Sequence, residues 1–258
     1  MTISRTRGPT RTGVPDAPAD EDPLTPRAQP GAVDAFEATS RTVFAAFDPV
    51  VNGVAIVSHG CSAKALAEAQ SVTSLLTQRP DIAKALADKK VTLVIIPVGV
   101  RMTDLPEFAE LRGKKTFDGR LWDDVRGSGG LTARGRTVVG VAEENLADLP
   151  SNTYPKGYSI AMHELAHAIQ NHALPRDEQK RIAAAFDARE AAKGPWTERY
   201  GASNEQEYFA QLTNAWFGRN AGLGHNGADW VRENDPVMAA ELQRIYRGEG
   251  VSPPKPTS

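Results

Sequence analysis

The sequence predicts an α+β domain. β-branched and apolar runs come first along the chain, at 53–58, 91–98 and 137–142. From about residue 158 onward, apolar residues recur at helical spacing instead. A chain of 258 residues, 40% of them apolar, accommodates one sizeable core or two modest ones.

The elements follow in order. Residues 1–33 carry six prolines and almost no large apolar side chains, so ordering them would cost backbone entropy with little burial in return; they are read as a disordered tail. Residues 249–258, ending VSPPKPTS, form a second such tail, leaving 34–248 as the folded domain. Asn52-Gly53 precedes a short strand, GVAIVS. Ser62 is placed to cap a helix reaching about Thr77, and Pro80-Asp81 opens another through Lys89. VTLVIIPV (91–98) is apolar throughout, as expected of a central strand covered on both faces. The Gly- and charge-rich stretch 100–136 includes WDDVRGSGG (122–130) and reads as a flexible loop; it lacks the Gly-Lys-Ser/Thr ending of a phosphate loop. TVVGVA (137–142) is a further strand. Helices are expected at Tyr158–Leu174, Arg176–Ala192, Asn204–Phe217 and Pro236–Arg247.

Composition narrows the function. With 30 basic and 32 acidic residues, the chain is not built as a nucleic-acid binder. Its one cysteine, Cys61, excludes an intrachain disulfide and any thiolate-cluster metal site. No apolar run reaches the roughly 18 to 20 residues that span a bilayer. The first residues lack the apolar segment of a classical signal peptide, although SRTRGPTRT is basic and acid-free. The expectation is a cytoplasmic protein, or one exported by a non-classical route, with a monomer favoured. Any metal must be held by histidine and carboxylate.

Residues 160–170, IAMHELAHAIQ, carry the chemistry. His163 and His167 stand one above the other on a helix face, so both imidazoles can reach one zinc ion. Glu164, about 100° round the helix, can reach a water in that site without being forced to be a ligand. Tyr158, Met162, Leu165 and Ile169 are assigned to the opposite, apolar stripe.

A catalytic zinc needs a third protein ligand and one open position. The extended pattern with a glycine and a third histidine shortly downstream is absent, since those positions are Gln170 and Ala173. His172 points away from the pair, and His59 and His225 are read as ordinary surface histidines. A downstream helical carboxylate is the better source. In ERYGASNEQEYFAQLTNAWFG (198–218), Ser203 and Gln206 read as a capping box and Gly218 as the helix stop. Glu205 reads as a carboxylate complementing the helix dipole. Glu207 shares a polar line with Gln211 and Asn214, which suits a ligand backed by hydrogen-bond partners; the competing reading is a solvated helical glutamate.

HELAH (163–167), followed by YGASNEQEYFAQ (200–211), resembles the catalytic domain of the anthrax lethal factor family and is similar to the secreted Pro-Pro endopeptidases of that fold. WDDVRGSGG is similar to a stretch preceding the edge strand in those proteins. The resemblance covers roughly residues 90 to 220. It implies a zincin-like domain, with a small mixed sheet whose edge strand packs on the HExxH helix and a helical C-terminal part. It places the third ligand of one catalytic zinc ion on Glu207 and an oxyanion-facing hydroxyl on Tyr200. Gln211 departs from the family, which has a further glutamate there.

The resulting expectation is a zinc-dependent endopeptidase, toxin- or effector-like or a housekeeping enzyme, with Glu164 as general base and Tyr200 as electrophilic aid. Its protein or peptide substrate would lie extended along a strand edge near residues 137–142, if that strand is an edge rather than paired on both sides. Two other functions share the zinc motif: a non-proteolytic binding module, and another zinc amidohydrolase acting on small acyl groups.

Overall fold

Val50–Val51 (β1) doubles back through Asn52 and Gly53, both at positive φ, into Val54–Val57 (β2), the two-residue hairpin that Asn-Gly favours. The computed structural model describes residues 49–116, 119–133 and 135–247; the tails predicted at 1–33 and 249–258 lie outside the described residues. Ser62 caps α1, Ala63–Leu76, its Oγ accepting from the Ala65 amide at 3.3 Å. Pro80 takes the first helical position of α2, Pro80–Asp88, where its missing N–H costs nothing. The fully buried β3, Thr92–Ile96, leads into a segment of 3₁₀ turns at Met102–Asp104, Ala109–Leu111 and Trp122–Asp124. Two strands follow, β4 (Gly127–Ala133) and β5 (Arg136–Ala142), and then a single helical turn, α3 (Glu143–Leu146). The rest is helical: α4 (Ile160–His172), α5 (Arg176–Ala192), α6 (Glu205–Trp216), α7 (Ala228–Asn234) and α8 (Pro236–Arg247).

The strands make one mixed sheet in the order β1-β2-β3-β5-β4. β2, β3 and β5 run parallel, while β1 and β4 are antiparallel to their neighbours. Alternation along β3 divides the core. Leu93 and Ile95 face the main core under α1, α2, α4 and α6; Val94 and Ile96 face a smaller one with Met102, Leu105, Phe108 and Val125. The expected double cover of this strand is therefore present, with 3₁₀ turns as the second layer.

Two expectations are corrected here. TVVGVA is not an edge: β5 pairs with β3 on one side and β4 on the other, so no substrate can add to it. RGSGG is not a loop, because Gly127–Gly130 begin β4, the terminal strand of the sheet. A bulge between Ser128 and Leu131 accompanies these glycines. Arg126, just before β4, forms a two-pronged pair with Glu144 of α3 (2.7 and 2.5 Å) and donates to the carbonyls of Ile96, Pro97 and Val100. One guanidinium thus ties the start of the edge strand to the end of β3 and to α3.

Glu143 performs the same task nearer α1, accepting the backbone N–H of Ser62 at 2.7 Å and of Val98 at 3.0 Å. Burial, and secondarily the Glu143 charge, push the neighbouring Cys61 thiol up from 9.0 to about 11. The sign is unfavourable for reactivity, since the thiolate is the nucleophile. At pH 8 its thiolate population should be about 100-fold below that of an unperturbed thiol. Iodoacetamide modification followed by mass spectrometry should accelerate about tenfold per pH unit up to pH 10, instead of levelling near 9. A plateau near 9 would contradict the burial argument.

Candidate metal and catalytic site

The HExxH helix α4 begins at Ser159, whose Oγ accepts from the Met162 amide at 3.2 Å. Ile160–His163 and Leu165–Gln170 are buried, because α4 lies between the sheet and α6. Glu164 is the partly exposed exception, opening onto the cleft. His163 and His167 bring their Nε2 atoms to 3.0 Å, with the rings edge to face.

Helix α6 supplies the third group. Its N-cap is Asn204, not Ser203: Asn204 Oδ1 accepts from Gln206 N at 2.9 Å and Glu207 N at 3.0 Å. Ser203 is spent on the preceding turn, its Oγ donating to the Tyr200 carbonyl at 2.7 Å. This cap aims Glu207 at α4. Glu207 Oε2 lies 3.1 Å from His163 Nε2 and 3.4 Å from His167 Nε2.

The donor set fits zinc. Three ligand-type atoms form a triangle with sides of 3.0, 3.1 and 3.4 Å. Four-coordinate tetrahedral zinc with bonds of about 2.0–2.1 Å requires ligand separations of about 3.3 Å. Glu207 Oε2 is buried and accepts no hydrogen bond, an expensive arrangement for a carboxylate unless a cation is shared. Glu164 forms a second candidate group with the two histidines, their ligand-type atoms all lying within 4.8 Å of one another. Glu207 contacts both histidines directly, so it completes the three-atom set and leaves Glu164 beside it.

The electrostatics follow from this packing. Burial would raise the Glu207 carboxyl, but the two imidazoles outweigh it and hold the group well below the usual carboxylate range. Burial opposes the charge on His163, yet Glu207 prevails and raises it. Glu164 is raised by burial, against the opposing charges of His163, His167 and Arg120.

Beside Glu164 the cleft is walled by Tyr154, Tyr158, Tyr200, Val125 and Arg120. Tyr200 opens a 3₁₀ turn, Tyr200–Ala202, and its ring centre stands 6.2 Å from that of His163. Tyr158 stands at the same distance on another side, stacked on Tyr154 at 5.7 Å. Tyr158 is thus buried in the main core, as expected, and at the same time forms part of the cleft wall. Tyr154 and Arg120 are cleft residues beyond those expected from the sequence. The tyrosine pair four residues apart, just before the helix, was the available signal for Tyr154; Arg120 offered none.

The remaining candidates are placed elsewhere. Glu205 accepts from Gln170 Nε2 at 2.9 Å and joins α6 to α4. His59 pairs with Glu107, His225 stacks on Trp230, and His172 Nε2 sits 3.2 Å from the Gly130 carbonyl. Gln211 is fully buried, and neither amide atom has a hydrogen-bond partner.

The edge strand needs its glycines for close approach to this helix. A Cβ on Gly129 would stand 2.7 Å from His167 Cβ and 2.8 Å from the Glu164 carbonyl; one on Gly127 would meet Glu164 Oε1 at 2.7 Å. Gly129→Ala should therefore push β4 from α4, costing about 1–3 kcal/mol of stability. Thermal unfolding checks this, and an unchanged midpoint would show that the strand yields freely.

Residues 63–221 match the family model described as anthrax toxin lethal factor, N- and C-terminal domain. Among solved structures, the fold is similar to that of the Pro-Pro endopeptidase PPEP-2 from Paenibacillus alvei, with a TM-score of 0.51 and 20% identity. That similarity covers 74% of this chain and 97% of the other, and at such identity it concerns the fold alone. No curated protein matches by sequence. The family match extends over more than half of the chain, and the HELAH helix and the Tyr200–Gln211 segment both fall inside it: the chain belongs to the anthrax toxin lethal factor family.

Proposed function

We propose that this protein is a zinc-dependent endopeptidase acting on an extended peptide segment. The observation that carries this reading is the triangle of His163, His167 and Glu207 atoms with Glu164 beside it, facing a cleft. Family membership and a fold neighbour that is itself an endopeptidase support it.

His163, His167 and Glu207 would hold the ion. Zinc, when bound, supplies Lewis acidity, polarising the scissile carbonyl and acidifying water toward neutral pH. Glu164 takes the proton from the attacking water and returns it to the leaving nitrogen. The Tyr200 hydroxyl donates to the carbonyl oxygen as negative charge develops there. The outer edge of β4, with its small side chains, offers backbone donors and acceptors to an extended substrate directly over α4.

The test is cleavage of a proteome-derived peptide library by metal-loaded protein, with and without 1,10-phenanthroline, reading new amino termini by mass spectrometry. Cleavage lost with chelator and restored by zinc is the expected result. Cleavage indifferent to chelator would exclude a metallopeptidase. Tight zinc binding without any cleavage would favour the binding-module reading.

A further inference from the structure

Glu198 links the turn that carries Tyr200 to the loop lying against the start of α4. Its Oε1 accepts the Gly201 N–H at 3.0 Å, inside the turn that carries Tyr200. Its Oε2 accepts from Asn220 Nδ2 at 3.0 Å. Asn220 is fully buried, and its side chain also donates to the His225 carbonyl at 3.0 Å. The strand-like bridge between Asn220 and Tyr158, with the Ser159 N–H donating to the Arg219 carbonyl at 3.1 Å, connects this loop to the first residues before α4. An unbroken path therefore runs from the Tyr200 turn through Glu198 and Asn220 to the entrance of the helix bearing His163.

The packing around that path leaves little slack. A Cβ on Gly201 would stand 2.8 Å from Thr197 Oγ1 and 3.2 Å from Glu198 Oε1, and one on Gly224 would stand 2.3 Å from the Thr197 carbonyl. Both glycines let the turn and the 218–227 loop close on Thr197 and Glu198. Neither carboxylate oxygen of Glu198 bonds to the histidines or Glu207; its charge reaches His163 through space alone, favouring the protonated imidazole.

We propose that Glu198 is a positioning residue: by bridging the Gly201 N–H and Asn220, it sets the Tyr200 hydroxyl at the distance from the His163 face that oxyanion stabilisation requires. This rests on the role given to Tyr200 above. Without the bridge the turn keeps its local hydrogen bonds, such as Ala202 N to the Arg199 carbonyl, and its packing on α6 and His163, but loses its hydrogen-bonded link to the loop that precedes α4. The consequence is a displaced donor, and a hydroxyl moved by about 1 Å forfeits much of its effect on the developing charge.

Two measurements test it. In protein labelled with 3-fluorotyrosine, the Tyr200 fluorine resonance is identified by its loss in Tyr200→Phe. Glu198→Ala should shift or broaden that resonance while leaving those of Tyr208 and Tyr246 in place, with and without zinc. A Tyr200 resonance unchanged by Glu198→Ala overturns the proposal. The second measurement is a double-mutant cycle on a fluorogenic peptide made from the best-cleaved library sequence. Glu198→Ala should lower kcat about tenfold at nearly constant KM and zinc content. In the Tyr200→Phe background the same change should have less than a twofold effect. Multiplicative losses, or zinc lost in parallel, would give Glu198 a general structural role and overturn the proposal. The isosteric Glu198→Gln, which keeps an oxygen for Gly201 but turns an amide toward Asn220, should fall between parent and alanine in both measurements; it decides the matter if the alanine variant does not fold. Should Tyr200→Phe by itself leave kcat unchanged, the oxyanion role fails, whereas a resonance shift would still show that Glu198 positions the turn.

Discussion

Glu164→Gln should leave one zinc bound per chain and lower peptide hydrolysis by about 10²–10⁴-fold, the range typical of a lost general base. The substitution is nearly isosteric, and its surroundings ask for that shape. Gly127 and Gly129 approach the carboxylate so closely that an added Cβ would lie 2.7 and 2.9 Å from its oxygens. The glutamine fills the same space, so β4 keeps its contact with α4 and the two histidines keep their positions. What disappears is the ability to take a proton: a neutral amide cannot accept one at accessible pH. Zinc content by plasma mass spectrometry and kcat/KM on a cleaved peptide separate the two effects. A glutamine variant with near-parental turnover would remove Glu164 from the general-base role. Loss of zinc in that variant would instead make Glu164 a ligand.

The contrast between legible and illegible parts follows from the range of the interactions involved. The HExxH helix is a local object, its spacing and apolar residues lying within thirteen positions: it runs over Ile160–His172, two residues shorter at each end than the Tyr158–Leu174 expected. Ser62 as a cap and the wholly buried strand at 92–96 are similarly local. The N-cap of α6 was displaced by one residue because Ser203 and Asn204 are both good caps. The choice between them depends on the turn at Tyr200, which consumes Ser203. β4 was hidden for a stronger reason. Gly127, Gly129 and Gly130 lower its strand propensity, yet the tight packing on α4 calls for glycine at 127 and 129. Tertiary contact overrides propensity there, and sequence read in short windows has no access to it. Whether TVVGVA sits at an edge is likewise a property of its neighbours: β4 returns antiparallel and covers the side on which a substrate was expected. The cleft is a third case. Arg120, the Tyr154–Tyr158 pair and Tyr200 come from three separate segments, and only the path of the loops brings them to Glu164.

Glu207→Ala should reduce zinc affinity by well over tenfold, since loss of an outer-sphere partner alone typically costs about 10–100-fold. The geometry makes this more than a statement about charge. Glu207 Oε2 is within 3.4 Å of both imidazole nitrogens, so removing it opens one full corner of the site and leaves two histidines that cannot enclose an ion. Glu205→Ala is the matched control. It lies two residues away, in the same first helical turn, and its carboxylate is engaged with Gln170 rather than with the histidines. Its zinc affinity should remain within a few-fold of the parent. Glu207→Gln separates ligand loss from packing loss: the Asn204 cap and the side-chain volume persist, but the anionic oxygen is gone, so folding should be near parental while zinc affinity falls. Competition with a chromogenic chelator gives the three affinities on one scale. A zinc loss confined to Glu205→Ala would transfer the ligand role to that residue. Parental affinity in both alanine variants would place the third ligand on Glu164, the other carboxylate within reach of the two imidazoles.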